Sequence, residues 1–296
     1  MQRGSERRRR LGRFPRITVG SGLAQAPSPK VGANAAFQHD SNARIYRLGR
    51  TARHYQGDIL LTRAETLLLL KHQPAFVDKD VLDIGVGTGR TTIYLAPLAR
   101  RYQAVDYSPA MVTRFKQNFT DVPIALADMT DLGAFADASF DFVLATNNVF
   151  CAVGHEARLR TLQEIRRLLR PSGMLVFSSH NRNDVHGLGR YFRPEFDRNP
   201  LKQLVLAARW CVASFNHARL AHRQLFTDEY AIVNDEAHGG TMLHYYISPD
   251  RQRSQLAASG FELLEMYDRW GKLLTPGDSA ARSQWVFYVA KRIQVS

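Results

Sequence analysis

The stretch Val81-Leu-Asp-Ile-Gly-Val-Gly-Thr-Gly-Arg90 combines a short apolar run with closely spaced glycines. Val81, Leu82 and Ile84 predict a buried parallel strand, and glycines directly after such a strand let the backbone turn sharply into a helix. Backbone N–H groups at this kind of turn, with the positive end of the helix behind them, suit an anionic or polar ligand. Asp83, at the end of the strand, is placed to accept a hydrogen bond from a cationic amine.

The spacing of the glycines separates two kinds of nucleotide-binding turn. Dinucleotide-binding turns carry G-x-G-x-x-G, but the third glycine position, counted from Gly85, holds Arg90 here. The observed pattern is D-x-G-x-G-x-G, formed by Asp83, Gly85, Gly87 and Gly89. It resembles motif I of the class I S-adenosylmethionine-dependent methyltransferases. The resemblance implies that the acid and the glycines hold the methionine part of that cofactor.

Acidic residues also end the next two predicted strands. Asp106 closes the strand 102–107, where a carboxylate can accept hydrogen bonds from two ribose hydroxyls; the alternative is an acid that merely lies near a helix start. Asp128 follows the strand 123–127, and the resemblance implies that it contacts the adenine amino group, the alternative being a solvated turn residue. The predicted cofactor-binding residues are Asp83, Gly85, Gly87, Gly89, Asp106, Tyr107, Asp128, Met129 and Asn147.

Strands and helices alternate along most of the chain, as expected for a sheet with helices on both faces. The predicted strands are 81–84, 102–107, 123–127, 140–149, 174–180, 261–267 and 284–290. The segment 268–283 has no clear helical pattern, which favours a hairpin and an antiparallel last strand. The predicted fold class is α/β, with a Rossmann-like, seven-stranded, mostly parallel sheet whose last strand is antiparallel.

Residues 184–242 interrupt this alternation. After the helix-start pattern Asn199-Pro200, apolar residues recur at helical spacing, at Leu201, Leu204, Val205, Ala208, Val212 and Phe215. The resemblance implies an insertion here that covers the acceptor pocket, with Leu204 and Ala208 facing inward. We therefore expect a disordered basic arm over 1–35 and a methyltransferase domain over 36–292, in which 184–242 form a helical insertion that serves as a lid.

The net charge of +13 is concentrated at the start of the chain. Residues 1–35 hold eight Lys and Arg residues against Glu6, so +7 of the +13 lies on a segment without an apolar pattern. The cluster Arg8–Arg10 could attract nucleic acid, but a solvated tail or an over-long gene start is the favoured interpretation and nucleic acid is not the expected partner. Ala24-Gln-Ala26 resembles a signal-peptidase site without the apolar stretch that should precede it, so we expect no export.

Other features predict a reducing compartment and no membrane span. Cys151 and Cys211 cannot form a disulfide framework or a C-x-x-C metal site, which fits a cytoplasmic protein. The longest apolar runs are too short to span a membrane. The histidines show no recognisable metal motif, and we predict no metal. The sequence leaves the oligomeric state open.

Polar residues at the ends of the fourth and fifth strands point toward the reacting centre of such sheets. The fourth strand lacks the prolines of the Asn/Asp-Pro-Pro-aromatic motif found in amino-methylating DNA enzymes, which argues against methylation of base amines. If the acceptor is a hydroxyl, a general base assists, and His180 and His155 are the candidates.

The leading hypothesis is S-adenosylmethionine-dependent methyl transfer to a small-molecule acceptor. One alternative is a catalytically silent methyltransferase fold that binds cofactor or RNA, since fold alone does not establish activity. A nicotinamide-dependent oxidoreductase is a third hypothesis, which the glycine spacing and the predicted antiparallel last strand disfavour.

Overall fold

A computed structural model describes residues 38, 41–47, 60–184, 195–235 and 237–294. The predicted arm over 1–35 and part of the predicted insertion 184–242 lie outside the described residues. The strands are β1 (Asp80–Ile84), β2 (Arg101–Asp106), β3 (Ile124–Leu126), β4 (Phe140–Ala145), β5 (Leu169–Asn181), β6 (Leu225–Phe226), β7 (Tyr230–Val233), β8 (His244–Ile247), β9 (Phe261–Asp268) and β10 (Trp285–Arg292).

The helices lie between these strands or before the first of them. Residues 41–46 form a short helical segment. The α-helices that follow are α1 (Arg63–Lys71), α2 (Thr92–Leu95), α3 (Pro109–Asn118), α4 (His155–Leu168), α5 (Pro200–Leu220) and α6 (Pro249–Ala258). Short 3₁₀ segments occur at Gln73–Ala75, Val149–Ala152, Ala221–Arg223 and Ala237–Gly239.

Three helices begin where Ser or Asn precedes Pro, and the start predicted at Asn199-Pro200 is one of them. The side chain of Ser108 accepts the N–H of Met111 ahead of α3, and that of Ser248 accepts the N–H of Arg251 ahead of α6. Asn199 caps α5 in the same manner. These side chains satisfy N–H groups that have no partner inside the helix, which fixes the point where each helix begins.

The prediction of a mostly parallel sheet with an antiparallel last strand is confirmed, although the sheet has ten strands among the described residues where seven were predicted. β3, β2, β1, β4 and β5 pair in parallel in that spatial order, and β10 pairs antiparallel with both β5 and β9. Helices cover both faces: α4 and α6 pack on one, and α1 and α3 on the other. The carboxyl ends of β1, β2 and β4 therefore meet at one edge, which positions the site described below.

The predicted helical insertion also contains strands. β6, β7 and β8 form an antiparallel ladder, and β8 continues the sheet by pairing in parallel with the end of β5 at His180 and Asn181. Of these, β6 and β7 fall inside 184–242, so a helix alone does not describe that segment. The strands have two to four residues each, too few for a period-2 pattern to reveal them.

The predicted inward face of α5 is wrong. Leu204 is 69% exposed, Ala208 is exposed, and none of the residues of α5 is buried. The helix instead contacts the rest of the chain through its polar side, where His217 Nδ1 lies 2.7 Å from Asn234 Oδ1 and Asn216 donates to the carbonyl of Gly239. An apolar stripe predicts that something covers it, but not that the covering group belongs to the same fold.

Candidate functional site

The glycine turn after β1 is shaped by two kinds of constraint. Gly85, Gly87 and Gly89 all have positive φ, at 67°, 59° and 100°. A Cβ on Gly85 would lie 2.6 Å from the side chain of Val149, and one on Gly89 would lie 2.1 Å from the ring of Phe119. A Cβ on Gly87 would meet nothing within 4 Å. Gly85 and Gly89 thus allow close packing inside the protein, whereas Gly87 leaves open space beside the backbone.

That open space belongs to a cleft of about 1090 Å³, solvent at its mouth included. Its walls come from the glycine turn and from the carboxyl ends of β1, β2 and β4. Every predicted cofactor residue except Gly89 lines this cleft, namely Asp83, Gly85, Gly87, Asp106, Tyr107, Asp128, Met129 and Asn147. The structure therefore brings together residues that are up to 64 positions apart in the sequence.

Asp106 ties the end of β2 to the glycine turn. Its Oδ2 accepts the N–H of Gly87 at 2.9 Å, and its Oδ1 accepts the N–H of Ser108 at 2.9 Å. Burial raises the pKa of Asp106 to about 6, although these backbone hydrogen bonds act in the opposite direction. Each carboxylate oxygen has a second lone pair, so the group can accept further hydrogen bonds from a ligand.

Asp83 lies at the base of the cleft with its charge poorly compensated. The hydroxyls of Thr91 and Tyr102 both donate to its Oδ2, the latter at 2.7 Å. Burial still raises the pKa of Asp83 to about 6, because the hydroxyl bonds and the charge of Arg90 offset only part of the desolvation. A cationic group in the cleft would favour the ionised form of this carboxyl.

Arg90 occupies the position of the third glycine in the dinucleotide-binding pattern. It forms a buried ion pair that the sequence did not reveal. Its two terminal nitrogens donate to the two carboxylate oxygens of Glu65 at 2.8 and 2.7 Å. Burial acts to raise the pKa of Glu65, but the hydrogen bonds and charge of Arg90 outweigh it and the pKa is lowered. Because Glu65 is also the third residue of a capping box with Thr62, the pair fixes the start of α1 against the glycine turn.

The segment 41–47 packs beside the cleft. Ser108 Oγ donates to the carbonyl of Tyr46 at 2.8 Å, and the ring of Tyr46 meets that of Tyr107 edge-on at 5.9 Å. Asn42 Nδ2 donates to the carbonyls of Ala152 and Leu243. Of this segment, Tyr46 lines the cleft.

The end of β4 has an unusual backbone at the point where it enters the cleft. Asn147 and Asn148 both have positive φ, at 56° and 59°. Asparagine tolerates this conformation better than most residues. The N–H of Asn148 donates to Ser178 Oγ at 2.8 Å, which anchors the bend to β5. The exposed side chain of Asn147 is thereby held at the cleft.

His180 does not line the cleft. Its ring stacks on Tyr246 at 4.8 Å between centroids, and removal from water lowers its pKa to about 3. Its neighbours Asp235 and His244 complete a cluster in which one ligand-capable atom of each side chain lies within 4.8 Å of the others. Asp235 Oδ2 lies 2.7 Å from His244 Nδ1 and also accepts the hydroxyl of Tyr246 at 3.0 Å. The sequence did not predict this cluster, whose members come from separate segments.

His155 lies on the other side of the sheet from His180. Its Nδ1 is 2.9 Å from the hydroxyl of Tyr245, its ring stacks on Tyr230 at 4.3 Å, and burial lowers its pKa. It too lies outside the residues that line the cleft. A base function of His155 or His180 therefore stays a prediction, and the cleft geometry lends it no support.

Comparison with known proteins identifies several that are similar to this chain. Residues 82–177 match the family model described as a methyltransferase domain. An uncharacterised methyltransferase of Bacillus subtilis (strain 168) is 35% identical over 103 residues, which cover 33% of this chain and 42% of that protein. A demethylmenaquinone methyltransferase of Mycobacterium sp. (strain JLS) is 35% identical over 154 residues, which cover 52% of this chain and 63% of that protein. The chain thus spans less than two thirds of the length of these relatives.

Solved structures share the fold at lower sequence identity. The 1,6-didemethyltoxoflavin-N1-methyltransferase of Burkholderia thailandensis, with bound 1,6-didemethyltoxoflavin and S-adenosylhomocysteine, superposes with a TM-score of 0.55 at 18% identity and covers 92% of this chain and 94% of its own. An S-adenosylmethionine-dependent methyltransferase of Clostridium acetobutylicum ATCC 824 gives a TM-score of 0.57 at 15% identity over 83% of this chain and 98% of its own. These neighbours confirm the fold class predicted from the sequence.

Proposed function

We propose that this chain, whose residues 82–177 belong to the methyltransferase domain family, transfers a methyl group from S-adenosylmethionine to a small-molecule acceptor. The observation that carries the proposal is the position of Asp106 beside Gly87 in the cleft. A buried carboxylate with spare lone pairs there lies next to a backbone position that no side chain fills. That arrangement suits the ribose hydroxyls of the cofactor.

The other cleft residues fit the remaining parts of the cofactor. Asp83 offers an anionic oxygen to the ammonium of the methionine part, and the open backbone at Gly87 lets that part approach the main chain. Asp128 and Met129 lie beyond Asp106 at the end of β3, where they would hold the adenine ring. Asp128 keeps its orientation because its Oδ1 accepts the N–H and the hydroxyl of Thr130 at 2.8 and 2.7 Å.

The protein's contribution to such a reaction is positioning. S-adenosylmethionine supplies a methyl group already activated by its sulfonium, so no side chain need form a covalent bond. Holding the acceptor in line with the leaving sulfur can contribute roughly 7–11 kcal/mol. Asn147, exposed at the end of β4, lies where it could orient the acceptor.

Two observations support a small-molecule acceptor. Tyr46 lines the cleft and its ring meets that of Tyr107 at 5.9 Å, so aromatic side chains form part of the wall, as is common in small-molecule sites. Two of the related proteins carry the names of small acceptors, demethylmenaquinone and 1,6-didemethyltoxoflavin. Those names belong to these relatives and indicate only the class of acceptor for this chain.

The alternatives can be separated by binding and turnover. Equilibrium binding of radiolabelled S-adenosylmethionine, compared with NAD, separates a methyltransferase from an oxidoreductase. We expect binding of the former only, with affinity reduced in Asp106→Ala and unchanged in Asp121→Ala, an exposed acid outside the cleft. A folded chain that binds NAD in preference would contradict the proposal. A chain that binds S-adenosylmethionine but methylates no member of a small-molecule acceptor panel would favour the silent binding module.

A further inference from the structure

The helix α5 presents a continuous apolar stripe to solvent. Residues at i, i+3, i+4, i+7, i+11 and i+14 lie on one side of a helix, and here all six are apolar and exposed: Leu201, Leu204, Val205, Ala208, Val212 and Phe215. Leu201 is 76% exposed and Phe215 is 64% exposed. Clustered exposure of large apolar side chains marks an interaction surface, unlike scattered single residues.

The outward direction of this stripe agrees with a contact on the opposite side of the helix, where His217 Nδ1 lies 2.7 Å from Asn234 Oδ1. The neighbouring Asn216 donates to the carbonyl of Gly239. These contacts hold the last turns of α5 against the described fold and leave the stripe exposed.

We propose that this stripe, with the cations beside it, seats the protein on the surface of an anionic lipid bilayer. An interfacial helix of this kind has one apolar face, Lys or Arg nearby and modest overall hydrophobicity. α5 contains Lys202, Arg209 and Arg219 and no acidic residue. No helix among the described residues combines the length and the apolarity that crossing a bilayer requires, so α5 lies on the membrane and does not cross it.

Charge is what favours lipid over a second copy of the chain as the occupant. Two copies packed stripe to stripe would bring together two helices that each carry Lys202, Arg209 and Arg219, and α5 supplies no acid to pair with them. Lys202 is already paired with Asp197 at 2.5 Å. Lipid headgroups with negative charge would attract the same arginines, at about 1 kcal/mol for each cation near the surface.

A further exposed aromatic side chain precedes α5. Phe196 is 83% exposed, and the backbone of its neighbours Glu195 and Asp197 bonds to the side chain of Gln203. Phe196 therefore adds to the exposed apolar side chains of this region.

The helix that carries the stripe lies close to the cleft. The segment 237–239, which contacts α5, carries His238, whose ring meets that of Tyr46 at 5.5 Å. Tyr46 lines the cleft. A membrane under α5 would therefore place the mouth of the cleft near the lipid surface. Membrane binding is inferred from the exposed stripe and the cations of α5 and does not depend on the proposed methyl transfer.

Vesicle cosedimentation of the full chain tests this proposal. We compare vesicles of phosphatidylcholine alone with vesicles that contain one quarter phosphatidylglycerol, using wild type, Leu204→Glu/Phe215→Glu and the control Leu264→Glu/Leu273→Glu. The control adds the same two charges at exposed apolar positions away from α5. Any attraction by the basic residues 1–35 is common to all three proteins, so differences between them report on the stripe.

Wild type and control are expected to bind the anionic vesicles equally. The α5 variant is expected to bind at least about tenfold more weakly, because two apolar side chains that would enter the lipid are lost. Arg209→Gln/Arg219→Gln should weaken binding in low salt and have little effect in 0.5 M salt, where charges are screened. Circular dichroism and cofactor binding establish that each variant is folded.

Three outcomes would overturn the proposal. The first is wild type that ignores anionic vesicles, and the second is an α5 variant that binds them as wild type does. The third comes from light scattering: if the wild type is a dimer that leaves vesicles alone, and Leu204→Glu/Phe215→Glu makes it a monomer, then a second copy of the chain occupies the stripe.

Discussion

The carboxylate of Asp106 accepts the backbone N–H of Gly87 at 2.9 Å, which joins the end of β2 to the turn after β1. This bond sets the width of the cleft at the position where two predicted cofactor residues meet. It also keeps the carboxylate facing the cleft, since its other oxygen is held by the N–H of Ser108.

Removing this carboxylate should weaken cofactor binding more than it weakens the fold. Asp106→Ala takes away a charged acceptor, and a hydrogen bond to a charged group is worth roughly 1.5–3 kcal/mol. We expect the affinity for S-adenosylmethionine to fall about 10- to 150-fold. Titration calorimetry measures this, with Asp121→Ala as the matched control. Unchanged affinity in a folded Asp106→Ala protein would refute the assignment of this residue.

Cofactor affinity should depend on pH. The pKa values of Asp83 and Asp106 are both raised from 3.8 to about 6 by burial. These carboxyls therefore favour the folded state without ligand below pH 4, and that contribution is lost as the pH rises through 6. The bound cofactor favours their ionised forms, so affinity should increase from pH 5 to pH 7 and then level off. In Asp106→Asn, the affinity for S-adenosylmethionine should change less between pH 5 and pH 7. A variant with the same pH profile as the wild type would contradict the role of the Asp106 carboxyl.

Gly87 and Gly89 should respond differently to the methyl group that substitution by alanine adds. Gly87→Ala introduces backbone strain of roughly 1–2 kcal/mol and places a Cβ in the open cleft, so cofactor binding should suffer. Gly89→Ala adds the clash with Phe119 to its strain and should lower the free energy of unfolding further. Urea denaturation and calorimetry together separate the effects. Equal losses of stability would show that the turn rearranges around Phe119.

The ion pair between Arg90 and Glu65 should be a strong stabilising element only while both partners are present. Arg90→Ala leaves the carboxylate of Glu65 buried without its cation, which costs about 3–5 kcal/mol. Glu65→Ala/Arg90→Ala should recover part of that loss, because no uncompensated charge remains. Denaturant midpoints of the two variants test this. A double variant no more stable than Arg90→Ala would mean that packing, and not charge, is what Arg90 provides.

The start of the chain should divide into a dispensable part and a required part. Residues 1–35 lack an apolar pattern, and we expect their removal to leave the melting temperature near that of the wild type. Removal through residue 47 also deletes Gln38 and Asn42, which donate to the carbonyl of Leu243 at 3.0 and 2.6 Å. The longer truncation should lower the melting temperature by several degrees, and differential scanning calorimetry compares the two. A large drop with the shorter truncation would show that the basic segment is packed.

The sequence predicted the sheet well because its signals are local. Apolar strand runs and Ser-Pro or Asn-Pro helix starts act over a few positions, and β1 through β5, β9 and β10 all correspond to predicted strands. The cleft residues were predicted from the resemblance of the glycine turn to motif I, together with the rule that ligands bind at the carboxyl ends of parallel strands. Gly89 is the exception among them, since packing against Phe119 accounts for it.

What the sequence missed depends on distant partners. Glu65 and Arg90 are 25 positions apart, and neither is unusual by itself. The cluster of His180, Asp235 and His244 is assembled only when β8 pairs with the end of β5. The direction of α5 was missed for a different reason: periodicity shows that one face is apolar, and the identity of what covers that face is not encoded in the period.

The most direct test of the proposed cofactor site is a crystal structure of the chain with S-adenosylhomocysteine. The account predicts both ribose hydroxyls within about 3.2 Å of the carboxylate oxygens of Asp106, with the amino group of the homocysteine part facing Asp83. Ligand density elsewhere on the protein, or a ribose turned away from Asp106 in a folded chain, would contradict it.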